Sequence, residues 1–555
     1  MGMDFPFSNV NRTETLQKVA GQAYDLIVIG GGITGAGITL DATSRGLKVL
    51  LLEKGDFASG TSGKSTKLIH GGLRYLKQFD FWLVHEVGSE RAIVHKLAPH
   101  LVLPEKMLLP LIEGGSYGKW LTSFGLKVYD ILAEVDGDDK RRMLEAREAL
   151  KMEPLLPKKI LKGAGYYAEY RTDDARLTLE VIKTSLPLGA QALNQTEVVD
   201  FLYSHDRVSG VKFRDVVTGT VFEIGSKYVI NAAGPWVDEL RLQDGSLMGK
   251  RLHLTKGVHL VFPREKFPVR QSVYFDVPDG RMMFAIPRGK VTYIGTTDTN
   301  YTGDGDQVGT DIADALYLIT AVNQMFPDIH LELKDIISSW AGLRPLIHEE
   351  GKSASELSRK DEIFTSQTGL VSIAGGKLTG YRKMAERAVN RIAKMMEEEH
   401  GRVLKACATD KMPLCGSDFK KNKHVQRYMD LIFDRIKDSG FSSYDAWYLV
   451  TTYGKQTQTI LELYARIQDE DPHRRLIRAE ARFAIAHEMA LDPLDFFIRR
   501  TGRMYFDIES VRRYREAVIG EFQRAFKHNK KAVEAMERAL GESMRQHSDF
   551  SMDRR

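Results

Sequence analysis

Residues 24–54 read YDLIVIGGGITGAGITLDATSRGLKVLLLEK, and this stretch decides the fold. Leu26 to Ile29 is a short apolar run ending in glycine, as expected of a strand buried on both faces of a parallel sheet. Gly30, Gly32 and Gly35 follow in GxGxxG spacing and predict a tight turn, a close approach for a pyrophosphate, and close packing of a helix on the sheet. The free N–H groups at that helix start suit phosphate oxygens. Val49 to Leu52 predicts a second strand. Glu53 stands about 20 residues past the motif, where an acid can accept from a ribose diol. GxGxxG alone is a weak signal; strand, turn, helix, second strand and terminal acid in register predict a dinucleotide site.

Outward from this unit, residues 59–76 (SGTSGKSTKLIHGGLRYL) are dense in Gly, Ser, Thr and Lys, yet Leu68, Ile69, Leu73 and Leu76 tie them to a core. His70, Arg74 and Tyr75 would then project from an ordered turn, the kind of loop that carries sites. The N-terminal 22 residues predict an irregular arm with a turn or two of helix near Thr13 to Ala20. Residues 80–160 look mainly helical, apart from the buried KMLLPLI. Asp173 and Asp174 can cap a helix carrying Leu177, Leu179 and Ile182. Residues 208–228 predict a β-meander leading into the buried strand YVINAAG, and a second sheet is expected from about Arg251, with strands at 259–262, 282–287 and 291–296. Near 342–382 the first sheet should return, with a strand over Leu370 to Ile373, a turn at Gly375-Gly376-Lys377 and a long helix from Thr379. That turn would place a helix N-terminus near negative charge. Beyond about residue 400 the pattern is helical and predicts a separate domain.

Length allows about three or four domains. A hydrophobic content of 43% with 28% charged residues is that of a water-soluble globular protein. The opening MGMDFPFSNV has neither a basic nor an apolar signal region, so export is not expected. Cys407 and Cys415 match no disulfide framework or CxxC motif, which fits a reducing cytoplasm. The net charge of +5 is too small and too well mixed for a nucleic-acid binder, though it favours an anionic substrate or membrane surface. No metal is expected: the loop DTNYTGDGDQVG lacks the closing glutamate of an EF-hand at Gly309, and no HExxH occurs.

The segments YDLIVIGGG, KLIHGGLRYL, NAAGPW, KGVHLVF, IGTTD, AGLRPL and AGGKLTGYRKMAE occur here in one order. Together they closely resemble the FAD-dependent glycerol-3-phosphate dehydrogenase family, a branch of the D-amino-acid-oxidase-like flavoproteins. The resemblance runs from Tyr24 into the C-terminal helices, where IRRTGRMYF is similar to the family's terminal domain. It implies an α/β FAD-binding Rossmann-like domain in three pieces (22–80, 160–240 and 340–398). An α+β substrate-binding cap would occupy 81–159 and 241–339, and an all-α domain 399–555. The implied reaction is oxidation of sn-glycerol 3-phosphate to dihydroxyacetone phosphate, with FAD as cofactor and electrons passed to a quinone. Implied cofactor contacts are Gly30, Gly32, Thr34 and Gly35, then Glu53 and Lys54, then Thr61, Ser62, Ser65, Thr66, Leu68, His70 and Gly71. Ala233 and Gly234 follow from NAAGPW, and Gly375, Gly376, Lys377 and Leu378 from AGGKLTG. His70 and His259 are the two candidates for the base that takes the hydroxyl proton. Arg74, Tyr75, Arg344 and Lys377 are the expected substrate contacts, with Arg344 also a candidate to face the reacting oxygen.

Only one dinucleotide fingerprint is found, so with FAD as cofactor the electrons are expected from an organic substrate rather than NADPH. Three other outcomes stay open at this point: an oxidase that passes electrons to oxygen and releases hydrogen peroxide, a flavin-folded module that docks to a membrane or partner, and amino-acid oxidation on the same fold. The last is disfavoured because a carboxylate needs fewer cations than this set supplies. Localisation is expected to be cytoplasmic, with peripheral contact to the inner face of the cell membrane through basic helices after Arg499, including Arg512, Arg513, Arg515, Lys530 and Lys531. A homodimer is compatible with the resemblance.

Overall fold

The structure, a computed structural model, describes residues 7–70, 81–115, 141–348 and 361–550. Two sheets carry the architecture. The first runs, from edge to edge, Glu362–Thr365, Val371–Ala374, Val221–Asn231, Tyr24–Ile29, Val49–Leu52 and Gln191–Leu193. All of these neighbours are parallel except the first pair. Leu26 to Ile29 and Val49 to Leu52 are buried without alternation, because helices pack over this sheet. The helix Ile33–Ser44 lies against Tyr381–His400 and Asp174–Ser185. Gly37 permits the first of these contacts: a Cβ there would stand 3.0 Å from the Tyr381 ring and 3.1 Å from Ala385. Asp173 caps Asp174–Ser185 by accepting from the Arg176 N–H. Strand Val221–Asn231 serves two partners. Its first half pairs antiparallel with Arg207–Asp215 in the expected meander, and its second half enters the parallel sheet beside Tyr24–Ile29.

The second sheet runs Thr299–Asn300, Arg251–Pro263, Val291–Gly295, Met282–Arg288, Ser272–Asp276, Leu103–Ile112, Leu161–Arg171 and Leu68–Ile69. Ser338–His348 pairs along the other edge of Arg251–Pro263. Leu161–Arg171 and Ser338–His348 were expected, by position, largely within the 160–240 and 340–398 pieces of the first unit. Both instead pair in this second sheet, because a strand's own apolar pattern does not say which sheet its backbone joins. Within 80–160, expected to be mainly helical apart from the buried KMLLPLI, that exception is longer than its apolar run. Phe81–Leu97 is a helix, but Leu103–Ile112 is a ten-residue strand whose half-exposed start, Leu103 to Lys106, hides its period.

After residue 400 the described chain is helical, and its helices pack on Ile432, Leu449, Tyr453 and Phe483. This part also shares a core with the second sheet, where Val261, Ile286, Tyr293 and Trp340 meet Phe496, Tyr505 and Phe522. It is tied to the first sheet by buried charge. Asp56, just past the second strand, accepts from Arg500 at 2.6 and 2.8 Å and also from Arg499. Glu488 accepts from Arg176 at 2.7 Å and from Lys183 at 2.9 Å. Among the described residues, no helix is long and apolar enough to cross a membrane.

Candidate active site

Two cavities meet where the sheets face each other. The first, of about 190 Å³, lies at the C-terminal ends of the parallel strands. Gly30 makes the turn at φ +109°, and a Cβ there would stand 2.5 Å from the Ala232 carbonyl. A Cβ at Gly35 would stand 1.9 Å from the Gly30 carbonyl, so only glycine lets the helix sit this close to the strand. Gly32 precedes the first turn of Ile33–Ser44, which carries no acidic residue to repel an anion from the helix start. Ser62 accepts from the Ile33 N–H at 2.9 Å. Glu53 accepts from Gly31 at 2.6 Å and from Gly55 at 2.7 Å, which locks the glycine turn to the second strand. Burial pushes its carboxyl up, and those two N–H groups oppose the rise. Thr34, Lys54, Thr61, Ala233, Gly234, Gly375, Gly376, Lys377 and Leu378 share the lining. The donor set fits a dinucleotide: glycine turn, helix start and terminal acid on one cleft.

Thr61, Ser62, Gly376, Lys377 and Leu378 also line the second cavity, of about 300 Å³, so the two form one continuous cleft. Ser65, Thr66, Leu68, His70, His259 and Arg344 complete the expected residues there. Register explains the meeting. His259 pairs with Gly295 on one neighbouring strand and with Trp340 on the other, while Gly257 pairs with Gly342 and Thr255 with Arg344. The imidazole lies over Gly295, whose added Cβ would stand 2.2 Å from the ring, and stacks on Trp340 at 4.7 Å. Its Nε2 is 2.9 Å from the Thr66 hydroxyl, and its buried Nδ1 has no partner among the described residues. Burial holds the His259 pKa well below its ordinary value, with Arg344 and Lys67 adding to the effect, so the ring is neutral. The Arg344 guanidinium donates to the Thr297 carbonyl at 3.1 Å, to Asp298 at 3.3 Å and to the Thr296 hydroxyl at 2.8 Å. His70 is half-buried, its ring set edge-on to Phe284 at 6.1 Å. Gly71, Arg74 and Tyr75 lie outside the described residues.

Several residues of this site carried no signal in the sequence reading. Tyr167, Glu169, Tyr274 and Phe284 reach the cavity from strands of the second sheet, and Arg281 from the residue just before Met282–Arg288. Trp340 donates from Nε1 to the Ser65 carbonyl at 3.1 Å, and Tyr293 from its hydroxyl to the Thr66 carbonyl at 3.0 Å, fixing the loop that faces His259. Gly257 and Gly295 stand in the matched motifs, but their purpose, room for Arg344 and His259, follows only from strand pairing.

The family described as FAD dependent oxidoreductase matches residues 25–382, and the C-terminal domain of alpha-glycerophosphate oxidase matches residues 407–533. The aerobic glycerol-3-phosphate dehydrogenase of Bacillus subtilis (strain 168) is 49% identical over 533 residues, which is 96% of each chain. This chain belongs to the FAD-dependent glycerol-3-phosphate dehydrogenase family. The aerobic glycerol-3-phosphate dehydrogenase of Staphylococcus haemolyticus (strain JCSC1435) is 47% identical over 93% of each chain. Among solved structures, the glycerol-3-phosphate dehydrogenase of Bacillus halodurans complexed with FAD superposes with a TM-score of 0.84 at 40% identity, over 99% of this chain and 100% of that one. L-alpha-glycerophosphate oxidase from Mycoplasma pneumoniae, at 19% identity, a TM-score of 0.54 and 69% of this chain, shares the fold. The FAD-binding fold, the helical C-terminal domain and FAD as cofactor agree with the expectations from sequence.

Proposed function

We propose that this chain oxidises sn-glycerol 3-phosphate to dihydroxyacetone phosphate and passes the electrons to a quinone. The observation that carries the reading is the continuous cleft, which joins the dinucleotide turn to a cavity holding a neutral buried histidine and fixed cations. Bound FAD supplies the hydride acceptor. The residues of this chain do the rest. His259, kept neutral by burial with Arg344 and Lys67 adding to the effect and with its Nε2 beside the Thr66 hydroxyl, takes the hydroxyl proton. Arg344, held by Thr296 and Thr297, faces the reacting oxygen and stabilises the negative charge it gains. Lys377, at the junction of the cavities, takes the substrate phosphate together with Arg74. His70 shapes the opposite wall against Phe284.

Because a quinone is carried in the bilayer, the reading includes a peripheral, salt-sensitive contact with anionic lipid. The test is turnover of glycerol 3-phosphate by the FAD-loaded protein with a soluble quinone analogue without oxygen, and separately with oxygen while peroxide is measured. Quinone-dependent turnover with little peroxide is expected. Turnover with oxygen alone, or none with glycerol 3-phosphate, refutes the acceptor or the substrate respectively.

A further inference from the structure

A third cavity, of about 350 Å³, lies beyond the aromatic wall behind His259, between the second sheet and the C-terminal helices. Phe506 lines it and touches Trp340 at 5.7 Å, the ring on which His259 stacks. Two of the cations that line it are held loosely. Among the described residues, Arg171, ending Leu161–Arg171, donates only to the Pro287 carbonyl at 3.3 Å, and its nearest carboxylate, Glu105, is 3.7 Å away. Arg288, ending Met282–Arg288, donates to the Thr172 carbonyl at 3.4 Å and to Asp173 at 3.2 Å. By contrast, Arg176 and Arg503, which also line the cavity, meet carboxylates at 2.7 to 2.8 Å. The hydroxyl of Thr172, itself 3% exposed, has no partner among the described residues. The acids on these walls are already engaged: Asp173, Asp445 and Asp507 accept from backbone N–H groups at helix starts or their caps, and Glu509 pairs with Arg512. Spare N–H donors of Arg171 and Arg288 therefore line the cavity without a close matching acceptor.

The other walls are flat rings. Trp447 lies 5.6 Å from the Arg171 guanidinium, Phe506 lies 3.9 Å from that of Arg288, and Tyr444 stacks on Trp447 at 5.4 Å with its own side chain 41% exposed. The volume is that of a small-molecule site. We propose that this cavity binds a planar organic anion, its phosphate or carboxylate between Arg171 and Arg288, and its ring against Trp447 and Phe506. The site is separate from the substrate cleft and rests on different residues.

Isothermal titration calorimetry on the full-length, FAD-saturated protein tests this with adenosine 5′-monophosphate and salicylate as planar phosphate and carboxylate, and with inorganic phosphate and adenosine as half-ligands. At least one planar anion should bind at one site per chain, about ten-fold or more tighter than either half-ligand. Arg171→Gln with Arg288→Gln should weaken it about ten-fold or more, while Lys377→Ala leaves it unchanged. Trp447→Leu, which leaves the arginines in place, should also weaken the planar anions but not inorganic phosphate. The proposal is overturned if neither planar anion binds, if binding is lost in Lys377→Ala, or if it survives in both the double arginine variant and Trp447→Leu.

Discussion

Replacing Gly257 by alanine should disable catalysis while leaving fold and cofactor in place. Gly257 sits in Arg251–Pro263 opposite Gly342, with a backbone that does not require glycine. The obstacle is a neighbour. A Cβ there would stand 2.3 Å from Nη2, 2.6 Å from Cζ and 2.7 Å from Nη1 of Arg344, so it meets the whole guanidinium plane rather than one flexible tip. Since non-bonded heavy atoms settle near about 3.5 Å, the guanidinium must retreat by roughly 1 Å. That retreat pulls it from Thr296 and Thr297 and away from the reacting oxygen. A misplacement of about 1 Å in a positioned group can cost about 100-fold in rate. This corresponds to about 3 kcal/mol of transition-state stabilisation. The assay is kcat and KM for glycerol 3-phosphate with a quinone analogue, alongside FAD content from visible absorbance and the thermal midpoint. Gly309→Ala is the control, because an added Cβ there meets nothing within 4 Å. If Gly257→Ala stays within about two-fold of the parent in kcat/KM, the role given to Arg344 is wrong.

Gly30→Ala should give protein without bound FAD, since the residue would need both φ +109° and space taken by the Ala232 carbonyl; a normal flavin spectrum would contradict this. Asp56→Asn takes the paired carboxylate from buried Arg500 and one of the two carboxylates from Arg499, which keeps Asp495, and should cost about 3–5 kcal/mol. An unchanged unfolding midpoint would show that these charges are compensated elsewhere. Burial lowers the pKa of His100 to about 3, that of His547 to about 4, and that of His259 well below its ordinary value. Below pH of about 6.5 the unfolded chain therefore binds protons that the folded chain refuses, so stability falls with falling pH, each histidine contributing about 1.4 kcal/mol per pH unit. Unfolding midpoints that stay level from pH 7 to pH 5 would exclude this. If His259 is the base, the acid limb of kcat at saturating substrate should lie below the usual histidine range, whereas a limb near pH 6.5 would transfer the role to His70.

What could be read from the chain was what is local. The first strand, its glycine turn, the acid after the second strand and the Asp173 cap are each specified within a few residues, and the structure has them at those positions. His259 and Arg344 were legible as members of motifs. Their neighbours were not, because register sets Trp340 and Gly295 beside His259 across gaps of 81 and 36 residues. Sheet membership was opaque for the same reason: Leu161–Arg171 and Ser338–His348 show their burial in the sequence but not their partners. Asp56 and Arg500, 444 residues apart, look in sequence like solvated surface charges, and only packing turns them into an internal clamp.

Trp340 lies between His259 at 4.7 Å and Tyr505 at 5.1 Å, the latter supplied from beyond residue 500. The helical end of the chain is thus a roof over His259, and the dryness of the imidazole is a property of the whole polypeptide. A shortened version ending after the first sheet's last helix would keep all seven ordered motifs from YDLIVIGGG to AGGKLTGYRKMAE, yet its histidine would stand in water and titrate as an ordinary one. The smallest working unit of this protein is for that reason larger than its set of reacting groups.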